Sequence, residues 1–294
     1  MNPLAEGLML TVLTGTLWCG VGICYSRAAG FGDRWNSFML LSSLMFIGFA
    51  WTVGMPSPAR VPDVMAVGGL LFGGGLAQQF GFFAMRRAME RGPHGVAWCV
   101  GQSALVAPLL GGVLCFGEKL SLLQWTGCLL VLASLGFFAG NDPAAVSRRR
   151  GYVPWMLLCF LGLGTQLLSS ILPNHFFATD NPALSWRVPM MSLSGLVWLI
   201  PMLRENTSLR SRLGGWKLAI LCGAANLGGE SVLFMALDRM EKLQKIALVC
   251  PIALILSIAM FFGYGVLVRR EKPGLRERIG TGLALGGILL LLFT

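Results

Sequence analysis

The chain has 294 residues, 55% of them hydrophobic and 12% charged, with a mean hydropathy of +0.70 and a net charge of +10. Soluble domains average about 25% charged residues, so this composition excludes a water-soluble globular domain. The basic residues cluster at the ends of apolar stretches, where they anchor and orient helices, and this excludes a nucleic-acid surface.

A helix crossing a bilayer needs about 20 mostly apolar residues. Ten such stretches run along the chain, at 8–27, 36–55, 64–85, 94–117, 122–140, 153–176, 183–203, 217–237, 244–268 and 275–293. Breaks such as "GMPSPARVPD" and "RENTSLRSRLGG" are too short for a soluble domain. The first run lacks a basic leader and reads as a true span rather than a cleavable signal. Period-two alternation is absent, which argues against a barrel. The expected fold is an all-α membrane protein of ten transmembrane helices.

Span one carries Trp18 near mid-depth, too deep for an interfacial aromatic belt. Trp35, Trp51, Trp155 and Trp198 fit such belts better. Span three contains the glycine cluster "GGLLFGGG" and then "AQQF", which places Gln78 and Gln79 inside the helix. Small-xxx-small spacing here, and in "GLALGG" of span ten, reads as close helix packing. No Walker lysine follows, so ATP-driven transport is not expected.

Span four opens with Pro93 and His94. Gln102 lies about three turns inside, with Trp98 one turn earlier on the same face. Gln166 and Ser170 form a similar pair in span six. Each amide either contacts a solute or bonds to a neighbouring helix. His175 lies near the end of span six, and neither histidine has metal-ligand company. Arg187 begins span seven beside Trp186 and is expected to snorkel to the interface. Lys245 opens span nine in the headgroup zone. The eight cysteines all lie in apolar spans without CxxC spacing and read as small apolar packers.

Span eight contains "NLGGESVLF". Twelve of the thirteen acidic residues lie at breaks or span ends; Glu230 alone lies deep. It sits eight residues from Asp238, or about 12 Å along a helix. An ionisable group at that depth costs about 2.5–3.5 kcal/mol or more unless it pairs or meets water. Burial favours the neutral acid. Such a group can carry a proton, hold a cation or bind a polyhydroxyl solute; alternatively it stays protonated and bonds to a neighbouring helix. Asn226 lies one turn earlier on the same face.

Numbering breaks by the spans they join, breaks 1/2, 3/4, 5/6, 7/8 and 9/10 carry 17 Lys/Arg and the others 6. The positive-inside rule places the rich side in the cytoplasm, so both termini are expected to face outward. The expected location is a bacterial inner membrane.

The chain also repeats itself. "FFAMRRAMERGPHGVAWC" aligns with "LFMALDRMEKLQKIALVC" at an offset of 151, pairing Phe83 with Phe234, Met89 with Met240, Glu90 with Glu241 and Cys99 with Cys250. Past a two-residue insertion, Glu118 meets Glu271, Lys119 meets Lys272 and Gly127 meets Gly280. This predicts two five-helix repeats, residues 1–142 and 153–294, around a basic linker at 143–152. Five is odd, so the repeats are inverted, as in secondary transporters, whose solute sites lie near the midplane. At offset 151, Glu230 corresponds to Gln79, and the two are expected to face one central cavity.

"GPHGVAWCVGQSALVAPLLGGVLCFGEKLSLLQWTGCLLVLASLGFF" resembles the signature of the drug/metabolite transporter superfamily: a short break, a helix ending in "GE", then a helix with a Trp-x-Gly-like step. Glu271 keeps the acidic position in the second half, although "VRREK" replaces the "GE" step. "GGGLAQQFGFFAMRRAMERGPHGVAWCVGQ" is also similar to the glucose/ribose porters and rhamnose–proton symporters. The resemblance implies transport of a sugar, amino acid or related metabolite, by proton coupling or facilitated exchange.

The expected function is therefore secondary transport of a small polar metabolite, with sugar favoured and metabolite export of the same fold as the alternative. A non-transporting receptor or scaffold predicts a sealed, dry centre. HExxH, GxSxG and paired deep carboxylates are absent, so an enzyme is not expected. The expected partners are the lipid bilayer, a solute and protons, with no cofactor or metal; nothing in the pattern specifies an oligomer.

Overall fold

The computed structural model describes residues 3–52, 55–117, 120–139, 151–178, 180–204, 215–243 and 248–291. Among these residues the regular elements are helical and no strand occurs. In chain order they are α1 (Pro3–Ala28), α2 (Trp35–Thr52), α3 (Val61–Met89), α4 (His94–Gln102), α5 (Val106–Phe116), α6 (Leu122–Ala139), α7 (Tyr152–Phe176), α8 (Arg187–Leu193), α9 (Leu199–Leu203), α10 (Trp216–Glu241), α11 (Val249–Leu267) and α12 (Leu275–Leu290). Glu118, Lys119, Lys245 and residues 143–150 of the expected linker lie outside the described residues. Tyr152, expected in that linker, opens α7.

Among the described residues, seven helical segments are long and apolar enough to cross a membrane, which marks the chain as a membrane protein. They are Pro3–Gly32, Val61–Met89, His94–Leu114, Tyr152–Phe176, Pro182–Leu203, Trp216–Glu241 and Val249–Leu267. The other expected spans are shorter. α2 and α6 have 18 residues each and α12 has 16, or about 27 and 24 Å at 1.5 Å per residue, against a hydrocarbon core of about 30 Å.

Proline accounts for a 3-10 stretch within each of two spans. Pro108 has no N–H for the carbonyl of Ala104, and the helix tightens into a 3-10 turn at Ser103–Leu105 between α4 and α5. Pro201 likewise denies a bond to Val197, and Ser194–Trp198 is 3-10 between α8 and α9. Several buried hydroxyls are satisfied within their own helices: Thr11 donates to the Gly7 carbonyl at 2.8 Å and Ser103 to the Cys99 carbonyl at 2.8 Å.

α3 packs along α7, α1 along α10 and α6 along α12. The last crossing is a reciprocal glycine contact. A Cβ on Gly127 would lie 2.6 Å from the Gly287 carbonyl oxygen, and one on Gly287 would lie 2.7 Å from that of Gly127. Backbones this close admit only glycine. The expected close-packing role therefore applies to Gly74, Gly75 and Gly287, whereas Gly69, Gly73, Gly282 and Gly286 face open space.

Large apolar side chains such as Leu129, Leu161 and Leu221 point outward, as contact with lipid tails requires. Cys19, Cys24, Cys99, Cys128, Cys159, Cys222 and Cys250 are free and buried, in keeping with packing. Two of the expected belt tryptophans are instead internal. Trp35 is fully buried against Tyr25 and Phe38, and Trp198 is buried against α3.

Polar clasps close both ends of the bundle. At one end Arg239 of α10 pairs with Glu6 of α1 at 2.6 Å. Arg187, expected to snorkel, is only 4% exposed and donates from Nη2 to both oxygens of Asp238, at 3.0 and 2.9 Å. Its Nη1 reaches Asn174 Oδ1 at 3.3 Å, and its guanidinium lies 4.4 Å from the centre of the Phe234 ring. The two-pronged carboxylate partner and the aromatic face explain why it turns inward. At the other end Glu271 accepts the His94 and Gly95 backbone N–H groups at 3.3 and 3.2 Å, capping α4 from the end of α11. Arg269 ties Glu271 to the Ser26 carbonyl. Glu6 and Ser26 are 20 residues apart on α1, about 30 Å, so the two clasps lie at opposite ends.

Candidate functional site

Glu230 lies on α10 and is 2% exposed. Its Oε1 accepts a hydrogen bond from Gln78 Nε2 of α3 at 3.3 Å. Glu230 Oε2 and Gln78 Oε1 have no hydrogen-bond partner among the described residues. Both border a central cavity of about 40 Å³.

Asn226 joins Glu230 on the α10 wall, one turn away. Gln102 of α4 and Gln166 of α7 bring two further amides to the same cavity. Gln166 is held by its own helix: Nε2 donates to Ser170 Oγ at 3.1 Å, and that hydroxyl donates to the Gln166 carbonyl. Ser170 therefore sits behind Gln166 and does not border the cavity.

Two indoles complete the polar wall. Trp98 donates from Nε1 to Ser257 Oγ of α11 at 3.1 Å and packs against Phe261 with centroids 5.2 Å apart. Its polar atom is thus engaged and its ring is fixed. Trp18 of α1 lies against Gly229, where a methyl group would approach its ring to 2.9 Å. Glycine at 229 lets the indole approach Glu230's helix closely.

Gln79 is elsewhere. Its Oε1 accepts from Trp198 Nε1 at 2.8 Å, and it borders a separate cleft between α2, α3 and α9. The expected Glu230–Gln79 pairing is corrected to Glu230–Gln78. Adjacent residues on a helix point about 100° apart, so a one-residue uncertainty in a repeat alignment changes the face entirely.

The remaining wall is apolar, from Val21, Phe82, Leu163 and Leu167, with Gly101 packed closely by Met85 and Leu163. None of these was singled out in the sequence, because nothing in a greasy helix distinguishes a wall residue from a packing residue. Among the lining residues Glu230 is the one ionisable group. A carboxylate with no counter-charge in such a place must take up a proton or a cationic ligand, or carry a large desolvation cost. The amides can hydrogen-bond hydroxyls, and indole faces suit sugar rings or amines. Among the described residues no group of three His, Cys, Asp or Glu could hold a metal ion.

No family model matches the chain, and no curated protein matches it. A crystal structure of a protein aligns over 98% of this chain and 97% of its own, with a TM-score of 0.57 and 18% identity. At that identity the similarity is one of fold.

Proposed function

We propose that this chain is a secondary transporter that moves a small polar metabolite by alternating access, with a sugar as the favoured solute and a proton as the coupling ion. In this reading ten helices cross the bilayer as two inverted five-helix repeats, and both termini face outward. The observation that carries the reading is a lone buried carboxylate, half-satisfied, in a cavity walled by four amides and two indoles.

Helix packing supports the repeat. α3 against α7 is answered by α10 against α1, and α6 packs on α12, its own counterpart. The Gln78–Glu230 contact spans 152 positions, between the offsets of 151 and 153 found in the sequence. The central cavity draws on α1, α3 and α4 from one half and on α7 and α10 from the other, as expected for solute sites between repeats. The resemblance to the drug/metabolite transporters agrees with this layout.

A volume of 40 Å³ holds roughly three water-sized spheres at about 10–15 Å³ each. A sugar does not fit. Both ends are clasped, so in the cycle we propose the site must widen to admit its solute. A larger cavity of about 280 Å³ lies between α5, α7, α10 and α11 on the Glu6–Arg239 side, bordered by Leu237 and Glu241. It supplies a vestibule through which the site would open when that clasp releases.

Export of an amino acid or a similar metabolite is the second reading, favoured by one observation: a carboxylate without a counter-charge suits an amine. A thermal-shift panel of sugars, amino acids and cationic amines on purified protein separates the two. Uptake of the stabilising solute into proteoliposomes under a pH gradient then tests transport. Absence of stabilisation and of uptake across the panel would favour a receptor or scaffold instead.

A further inference from the structure

Between α2, α3 and α9 lies a second, larger cleft of about 620 Å³. It shares no lining residue with the cavity around Glu230. Along α3 it runs from Leu76 to Arg87, eleven residues, or about 16 Å at 1.5 Å per residue. That is close to half of a hydrocarbon core about 30 Å thick, the depth of one leaflet.

The two ends of the cleft differ in chemistry. Away from the arginines the lining is mostly apolar, with the Gln79 carbonyl oxygen engaged by Trp198, and Leu76, Phe80 and Ile200 are exposed on the outward face of the bundle. The other end is basic. Arg86 and Arg87 line it, and Arg91 follows one turn on. All three turn to one carboxylate, Glu90, at 2.7, 3.3 and 3.7 Å. Three guanidiniums on one carboxylate leave a local charge of +2.

These arginines are fixed in place. Arg86 donates to the Gly32 carbonyl at 2.7 Å and lies over the Trp35 ring at 5.2 Å. Gly32 has φ of +57°, which a residue with a side chain rarely adopts, and this turn aims its carbonyl at Arg86. Arg87 lies over the Phe83 ring at 5.2 Å and keeps a side-chain exposure of 38%. Of the two arginines that line the cleft it is the accessible one, since the Arg86 side chain is buried.

We propose that this cleft binds one anionic phospholipid, with an acyl chain along Leu76, Phe80 and Ile200 and the headgroup phosphate at Arg87. The length selects a chain that reaches mid-bilayer from the interface. The unbalanced charge selects an anionic headgroup over a zwitterionic one. A free phosphate would use the arginines and leave the apolar length empty.

Native mass spectrometry of the full-length protein in detergent tests this, with phosphatidylglycerol and phosphatidylcholine of identical chains as probes. One phosphatidylglycerol is expected to remain bound in preference to phosphatidylcholine. Arg87→Gln should weaken its retention about fivefold, the effect of roughly one basic contact, and Arg87→Lys should restore most of it. Leu76→Trp fills the apolar end without changing charge and should weaken retention comparably. Arg60→Gln, at the opposite end of the bundle, should change nothing. Equal retention of the two lipids overturns the proposal. So does unchanged retention in both Arg87→Gln and Leu76→Trp, provided each elutes as wild type on size exclusion. Displacement of the lipid by millimolar inorganic phosphate would assign the arginines to a free anion and likewise overturn it.

Discussion

Gln78 and Glu230 meet at 3.3 Å across the centre of the molecule, while Gln79, one residue further along α3, turns away to Trp198. One side chain thus belongs to the cavity and its neighbour to the scaffold. The two glutamines are chemically identical, so substitutions separate the roles cleanly.

Gln78→Leu removes the donor to Glu230 and is expected to impair solute binding, read as a loss of thermal stabilisation by the bound solute. Gln79→Leu should leave that stabilisation intact. Its cost is structural, because the Trp198 indole N–H loses its acceptor: about 1–3 kcal/mol for a buried unsatisfied group. Chemical denaturation of the two variants measures the difference. The assignment fails if Gln79→Leu abolishes solute binding and Gln78→Leu does not.

Glu230→Gln keeps the shape of the site and removes its ionisable group. Accumulation of solute in proteoliposomes is expected to lose its dependence on the pH gradient, while equilibrium exchange continues. The melting temperature should stay at or above that of the wild type, since an uncompensated charge at this depth costs about 2.5–3.5 kcal/mol. Full pH-driven accumulation by the variant would remove Glu230 from proton coupling.

The Arg187–Asp238 clasp predicts an unequal pair of variants. The Asp238 side chain is 37% exposed and the Arg187 side chain only 5%. Arg187→Met leaves a carboxylate that water can reach, so the cost should be small, about 1 kcal/mol. Asp238→Asn strands a buried guanidinium and should cost more, about 3 kcal/mol. Thermal unfolding of both variants decides; the reverse order would contradict the burial described here.

Adjacent glycines in α12 offer a packing test. Gly287→Leu forces α12 off α6 at the Gly127 crossing and should destabilise by about 1–3 kcal/mol. Gly286→Leu meets open space and should be tolerated. Equal effects would mean that the α6–α12 contact is not close.

The helical segments were legible because hydrocarbon leaves a chain few options. Every backbone N–H and C=O must be satisfied within the segment, so long apolar runs become helices. The polar residues inside those runs were equally visible, since each stands out against its neighbours. Trp18, Gln78, Trp98, Gln102, Gln166, Asn226 and Glu230 were all noted in the sequence, and all border the central cavity. The apolar wall was not legible, because Leu163 and Leu167 look like any other leucine. Arg187 was misread for a related reason: its partner, Asp238, is 51 positions away, and only folding brings a carboxylate to a buried guanidinium.

By itself the sequence determined that this chain lives in lipid as apolar helices with a small set of costly polar groups at depth. Both follow from composition and local spacing. Only the tertiary structure decided which polar groups share a cavity. Side chains one residue apart point about 100° apart on a helix, and no local pattern sets how far each helix turns toward its neighbours. That rotation placed Gln78 against Glu230, gave Gln79 to Trp198 and set Arg86 and Arg87 at the mouth of a separate cleft.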